Sequence, residues 1–158
     1  MNKTGVALAV VIILTAAAWI SSIPRRSDEE QIRAVVAKAS VSARQQNIGQ
    51  MMSCLSPDFT SELGDYDATR LVLLSFFHDV KTVDVAVASP TIKITGPTAT
   101  AESAIRASWT SDSGSTIDVS SHLSVELRRE NHKAYLVFPR REWRILTGRI
   151  SSPIPGLE

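Results

Sequence analysis

Between Ala99 and Arg128 the chain alternates apolar and polar residues with a period of two, interrupted once, and a pattern of that length fits only paired β-strands. Ala101, Ser103, Ile105, Ala107 and Trp109 fall on one face, with Glu102, Arg106 and Ser108 on the other. Asp112-Ser113-Gly114-Ser115 supplies a turn. The alternation then resumes, with Ile117, Val119, Leu123, Val125 and Leu127 inward against Asp118, Ser120, His122 and Glu126. The reading is a long antiparallel hairpin with one face on the core, each arm about 12 residues or roughly 40 Å.

The flanking segments set what can cover that face. Ser27 and Glu30 have capping-box spacing ahead of Ile32, Val35, Val36, Ala39 and Ala43, which predicts a helix to about Gln46. Ile48, Met51, Met52 and Leu55 predict a short second helix ending before Ser56-Pro57, with a brief extended piece at Phe59. Asp67 is expected to cap a third helix that buries Leu71, Val72, Leu74, Phe76 and Phe77 and ends near His78-Asp79. Val83, Val85 and Val87 then read as a strand broken by Pro90 and resumed at Thr91 to Thr95. After the hairpin, Tyr135 to Phe138 is expected to be extended, Pro139 to Arg141 to bend, and Trp143 to Ile150 to close the sheet.

Gly5 to Ile23 is an uncharged apolar run, preceded by Lys3 and followed by Pro24, Arg25 and Arg26. At roughly 19 residues it suits a membrane anchor, and Ala16-Ala17-Ala18 equally suits a signal-peptidase site. A buried soluble helix is the third reading. Positive charge flanks both ends, so the positive-inside rule does not fix orientation by itself. The short tail with its single Lys3, and the dilution of Arg25 and Arg26 by Asp28, Glu29 and Glu30, favour a domain outside the cytoplasm. The organisation expected is 1–26 signal-anchor or signal peptide, 27–150 one domain, 151–158 a flexible tail. The location is the cell membrane, single-pass, or the periplasm or exterior if the segment is cleaved.

Beyond residue 26 there are fourteen Lys/Arg against sixteen Asp/Glu, so no general attraction to nucleic acid is expected. Positive charge nevertheless gathers late in the chain, from Arg128 to Arg149. Cys54 is the single cysteine, reads as a buried small residue, and lies too far from the apolar run to be a lipidation site.

Helices followed by a meander of long strands resemble the nuclear transport factor 2-like superfamily, the cone-shaped α+β fold. The likeness is carried by Ser56-Pro57-Asp58-Phe59, Ala99-Thr100-Ala101, Leu127-Arg128-Arg129 and the Trp143-Arg144-Ile145 ending. It implies an α+β chain in which, after an N-terminal hydrophobic helix, three helices pack on the concave face of a curved, mainly antiparallel sheet. The superfamily includes isomerases, dehydratases, ligand-binding domains, kinase association domains and membrane-anchored secretion components. Its isomerase chemistry would need an inward carboxylate base, and the inward strand positions here hold none.

Candidate chemistry is correspondingly thin. His78 beside Asp79 suits helix capping better than acid–base work, because adjacent helical positions diverge by about 100°. His122 and His132 lack metal-site spacing, so neither a metal nor a cofactor is expected. Small inward residues predict a mostly apolar pocket between helices and sheet, with Tyr66, Phe77, Ser103, Trp109 and Ser121 around it and Thr147 joining from the closing strand. The partners expected are the membrane, through the N-terminal segment, a second copy through the outer face of the sheet, and a small apolar ligand. The function reading is a non-enzymatic extracytoplasmic binding or assembly module; a small-molecule isomerase or hydro-lyase is the alternative class.

Overall fold

The computed structural model describes residues 26–134 and 138–151, the side chains of 132–134 and 138–140 excepted. It begins with α1 (Asp28–Arg44), where the capping box forms as expected: Ser27 Oγ accepts from Glu30 N at 3.2 Å, and Glu30 Oε2 accepts from Ser27 N at 2.8 Å. Asp28, Glu29 and Glu30 in the first turn and Arg44 in the last complement the helix dipole. Gln46, with φ of 52°, takes the left-handed conformation just past the helix end. Asn47 then caps α2 (Ile48–Met52), accepting from Gln50 N at 3.0 Å.

The segment after α2 is a full strand rather than a brief extended piece. β1 (Leu55–Ser61) runs parallel to the closing strand β7 (Phe138–Ile150), and β2 (Gly64–Asp65) folds back against β1. α3 (Tyr66–Asp79) follows, then β3 (Val80–Val87), β4 (Thr91–Thr95), β5 (Thr98–Ser111) and β6 (Thr116–Ala134). The strand order is β2-β1-β7-β6-β5-β3, and β4 shares the β5 edge with β3. Apart from β1 with β7, every pairing is antiparallel, giving a mixed sheet. Register shifts near Lys81, within β1 and between Glu126 and Leu127 bend the strands, which is how a long sheet acquires curvature.

The central hairpin pairs from Thr98↔Arg128 to Thr110↔Thr116, in the register the alternation requires. The expected bend at Pro139 to Arg141 is strand instead, and of the expected extended piece Tyr135 to Val137 lie outside the described residues. β6 continues to Ala134, and Phe138, Pro139, Arg140 and Arg141 pair with Ala134, Lys133, His132 and Asn131 instead of bending. β1 joins β7 only from Ile145 onward, so Pro139 sits where one edge of β7 needs no donor.

Two features of α3 also differ from expectation. Its N-cap is Asp65, whose Oδ1 accepts from Ala68 N at 2.9 Å, and Asp67 lies within the first turn. Leu71 and Leu74 are 67% and 43% exposed, because the face turned inward carries Thr69, Val72, Leu73 and Phe76 at three- and four-residue steps.

The core lies where α1, α2 and β1 cover the Ala99–Ala101 part of β5 and the partners of that part. Ile32, Val36, Met52, Leu55 and Phe59 meet Ala99, Ala101, Val125, Leu127, Trp143 and Ile145 there. No helix among the described residues is long and apolar enough to cross a membrane, and the Gly5 to Ile23 run lies outside those residues.

Candidate functional site

Away from the core the concave face is only half-buried. Ile105, Ala107, Val119 and Ser121 point inward beside Val83, Val85 and Val87, and each remains partly accessible. Side chains on this surface are hydrocarbon or hydroxyl. At its hairpin-turn end Phe76 enters from α3 and meets Trp109 edge-on at 5.7 Å, with Phe77 at 5.5 Å from Phe76. Two of the expected pocket residues, Trp109 and Phe77, are thus linked through Phe76.

Ser103 is buried, and its hydroxyl donates to Ala88 O at 2.7 Å, fastening the bend between β3 and β4. Ser121 lies diagonally across the ladder, opposite Ile105, and its Oγ is buried without a partner. An orphan hydroxyl on an apolar face is costly unless something bonds it. Tyr66 packs against the core cluster at the start of α3, eleven residues and roughly 16 Å of helix from Phe77. Thr147 faces outward opposite Glu126, since the bulge at Leu146 reverses the side-chain order of β7 before it reaches Thr147.

His78 and Asp79 are both exposed, and neither side chain has a hydrogen-bond partner among the described residues. His122 is exposed on the outer face, where its carbonyl accepts from Ser151 N at 3.0 Å. Among the described residues no group of His, Cys, Asp and Glu could hold a metal ion.

Two polar clusters were not anticipated from sequence. In the first, Arg129 pairs with Asp28, stacks over the Trp143 ring with Cζ 4.9 Å from the centroid, and leaves Nε without a partner. Trp143 Nε1 donates to the other Asp28 oxygen at 3.1 Å, so the start of α1 is clasped to β6 and β7. In the second, Arg128 Nη2 donates to Asp58 Oδ2 at 2.6 Å and Glu130 Oε1 at 2.9 Å, while fully buried Ser56 donates to Glu130 at 2.6 Å. Hydrogen bonds to Asp58 and Glu130 raise the Arg128 pKa further above its ordinary range.

A recess of about 240 Å³ lies elsewhere, between α1 and β7, and none of the five expected pocket residues lines it. Cys54 forms part of its wall. Burial pushes that thiol's pKa up, opposed by the charge of Lys38, a hydrogen bond with Ser53 and the charge of Arg144.

No protein-family model matches the sequence, and no curated protein matches it. Solved structures do. A candidate aromatic ring hydroxylase from Novosphingobium aromaticivorans superposes with a TM-score of 0.68 at 14% identity, covering 80% of this chain and 90% of that one. A nuclear transport factor 2-like superfamily protein from Salmonella enterica serovar Typhimurium gives 0.65 at 16% identity over 81% and 92%. A candidate dehydratase of the same fold family from Streptomyces avermitilis gives 0.64 at 12% identity over 80% and 97%. The chain therefore has the nuclear transport factor 2-like fold. At such identities the likeness establishes the fold and nothing finer.

Proposed function

We propose that this protein is a non-enzymatic binding and assembly module, carried outside the cytoplasm by the Gly5 to Ile23 segment, that takes a small apolar ligand on its concave face. The observation that carries the reading is the makeup of that face. Its half-buried Val, Ile and Ala side chains offer apolar contact, and the Ser121 hydroxyl, buried beneath them without a partner, is open to one directional hydrogen bond if those side chains part for a ligand. A hydro-lyase reading draws on the name of the Streptomyces neighbour. It ranks second, because proton transfer needs an acid and a base aimed at the ligand, and the described inward positions of β3, β5 and β6 between Val83 and Leu127 carry neither.

Native mass spectrometry of the full-length chain in detergent tests the ligand. A small apolar molecule is expected to co-purify and to be lost in Ser121→Phe, with thermal stability held or raised. A loss of several kcal/mol in that variant, as overpacking of a filled core produces, would remove the pocket. Location is tested by fusing alkaline phosphatase after Glu158, where activity is expected. An inactive fusion beside an active cytoplasmic reporter at the same point would overturn it.

A further inference from the structure

The recess between α1 and β7 has a chemistry unlike that of the concave face. Arg26, Lys38 and Arg144 converge on it, with Glu142 the one carboxylate in its lining. The cations are sparsely committed. Lys38 Nζ donates to Ser53 Oγ at 2.8 Å, a neutral partner. Arg144 is ion-paired with both Glu130 and Glu142, each at 4.0 Å, longer than a hydrogen bond, so the uncompensated charge is chiefly that of Arg26 and Lys38. No described carboxylate lies within ion-pair distance of Arg26 or Lys38. The apolar part of the lining is Ala34, Val35, buried Cys54 and buried Trp143. A net positive lining with an apolar part is complementary to an anion attached to a hydrocarbon body.

Position narrows the choice of ligand. Arg26, which lines the recess, is three residues past the last residue of the Gly5 to Ile23 run. A chain held in a bilayer by that run cannot carry Arg26 more than about 10 Å from the point where the run ends. We propose that the recess binds the headgroup phosphate of an anionic phospholipid, with Arg26, Lys38 and Arg144 on the phosphate and the upper acyl or glycerol carbons on Val35 and Trp143. This rests on reading Gly5 to Ile23 as a membrane segment.

The test uses the full-length chain in detergent micelles, titrated by native mass spectrometry with dihexanoyl phosphatidylglycerol, dihexanoyl phosphatidylcholine and inorganic phosphate. Phosphatidylglycerol is expected to bind about tenfold more tightly than phosphatidylcholine, and Lys38→Glu and Arg26→Glu are each expected to abolish that preference. Lys93→Glu, the same charge change on the exposed β4 strand, should leave it intact. Equal binding of the two lipids, or a preference that survives Lys38→Glu, overturns the proposal. Inorganic phosphate competing as well as phosphatidylglycerol overturns the lipid and leaves a free-anion site. Alkaline carbonate washing of membranes separates the two readings. A chain that is retained but shows no lipid preference removes the recess and spares the anchor; a chain that is released but prefers phosphatidylglycerol does the reverse.

Discussion

Cys54 illustrates how one side chain ties burial to chemistry. It is 3% exposed, bonded through Sγ to Gln50 O at 3.4 Å, and its pKa lies above the ordinary thiol value of 9.0. A thiol harder to ionise in the folded than in the unfolded chain binds more protons when folded. Stability is therefore intact below pH 9.0 and falls as pH rises through the higher folded value. Cys54→Ala should flatten that alkaline decline, at the cost of a small cavity at neutral pH. Chemical denaturation of both proteins from pH 7 to 10.5 measures it; parallel curves would show that the thiol does not contribute. Sequence spacing was enough to place Cys54 in the interior. It could not disclose the cations beside it, because Arg144 is brought there by a strand ninety residues further along.

At the scale of elements, local patterns were read well and long-range ones poorly. The β5–β6 hairpin and the α1 capping box depend on neighbours in sequence, and both formed as the pattern required. β1 escaped because Ser56, Pro57 and Asp58 break its alternation and its partner is the last strand. The Asp28–Arg129–Trp143 clasp escaped for the same reason, since its members lie 101 and 115 residues apart. Asp65 and Asp67 are equally good N-caps by residue type, so spacing alone does not choose between them. The turn at Gly64, whose φ is +111° and where a Cβ would come within 2.8 Å of the Ala68 Cβ, places Asp65 at the start of α3. Asp65→Ala should therefore cost about 1 kcal/mol and Asp67→Ala much less. Thermal melts of the two variants decide it, and equal losses would mean that Asp65 is not the operative cap.

For the whole molecule, the outer face of the β5–β6 hairpin is exposed or half-buried along its length. Ala104, Ser108, Ser120 and Ser124 on it are small or weakly polar, with Arg106 opposite Ser120 and the remaining three facing His122, Asp118 and Glu102. Such a surface suits a second copy packed face to face. Sedimentation of the full-length chain in detergent should show a dimer that Ser120→Glu dissociates without lowering the melting temperature of the fold. A monomer at every concentration would remove this interface. The long central hairpin could be read from periodicity because its strands are long and regular, and the nuclear transport factor 2-like fold came only as a resemblance. The half-open concave face could not, because it depends on how far α3 tilts its Leu71 and Leu74 edge toward solvent.

The clasp on α1 has a mechanical meaning. Any tension on the amino-terminal segment enters the domain at Arg26 and reaches Asp28 two residues later. There the load passes through Arg129 and Trp143 into the paired middle strands β6 and β7. A pull at that terminus would meet the Asp28–Arg129 ion pair and the Trp143 hydrogen bond before the backbone hydrogen bonds of α1, so the helix is fastened to the sheet at its first turn.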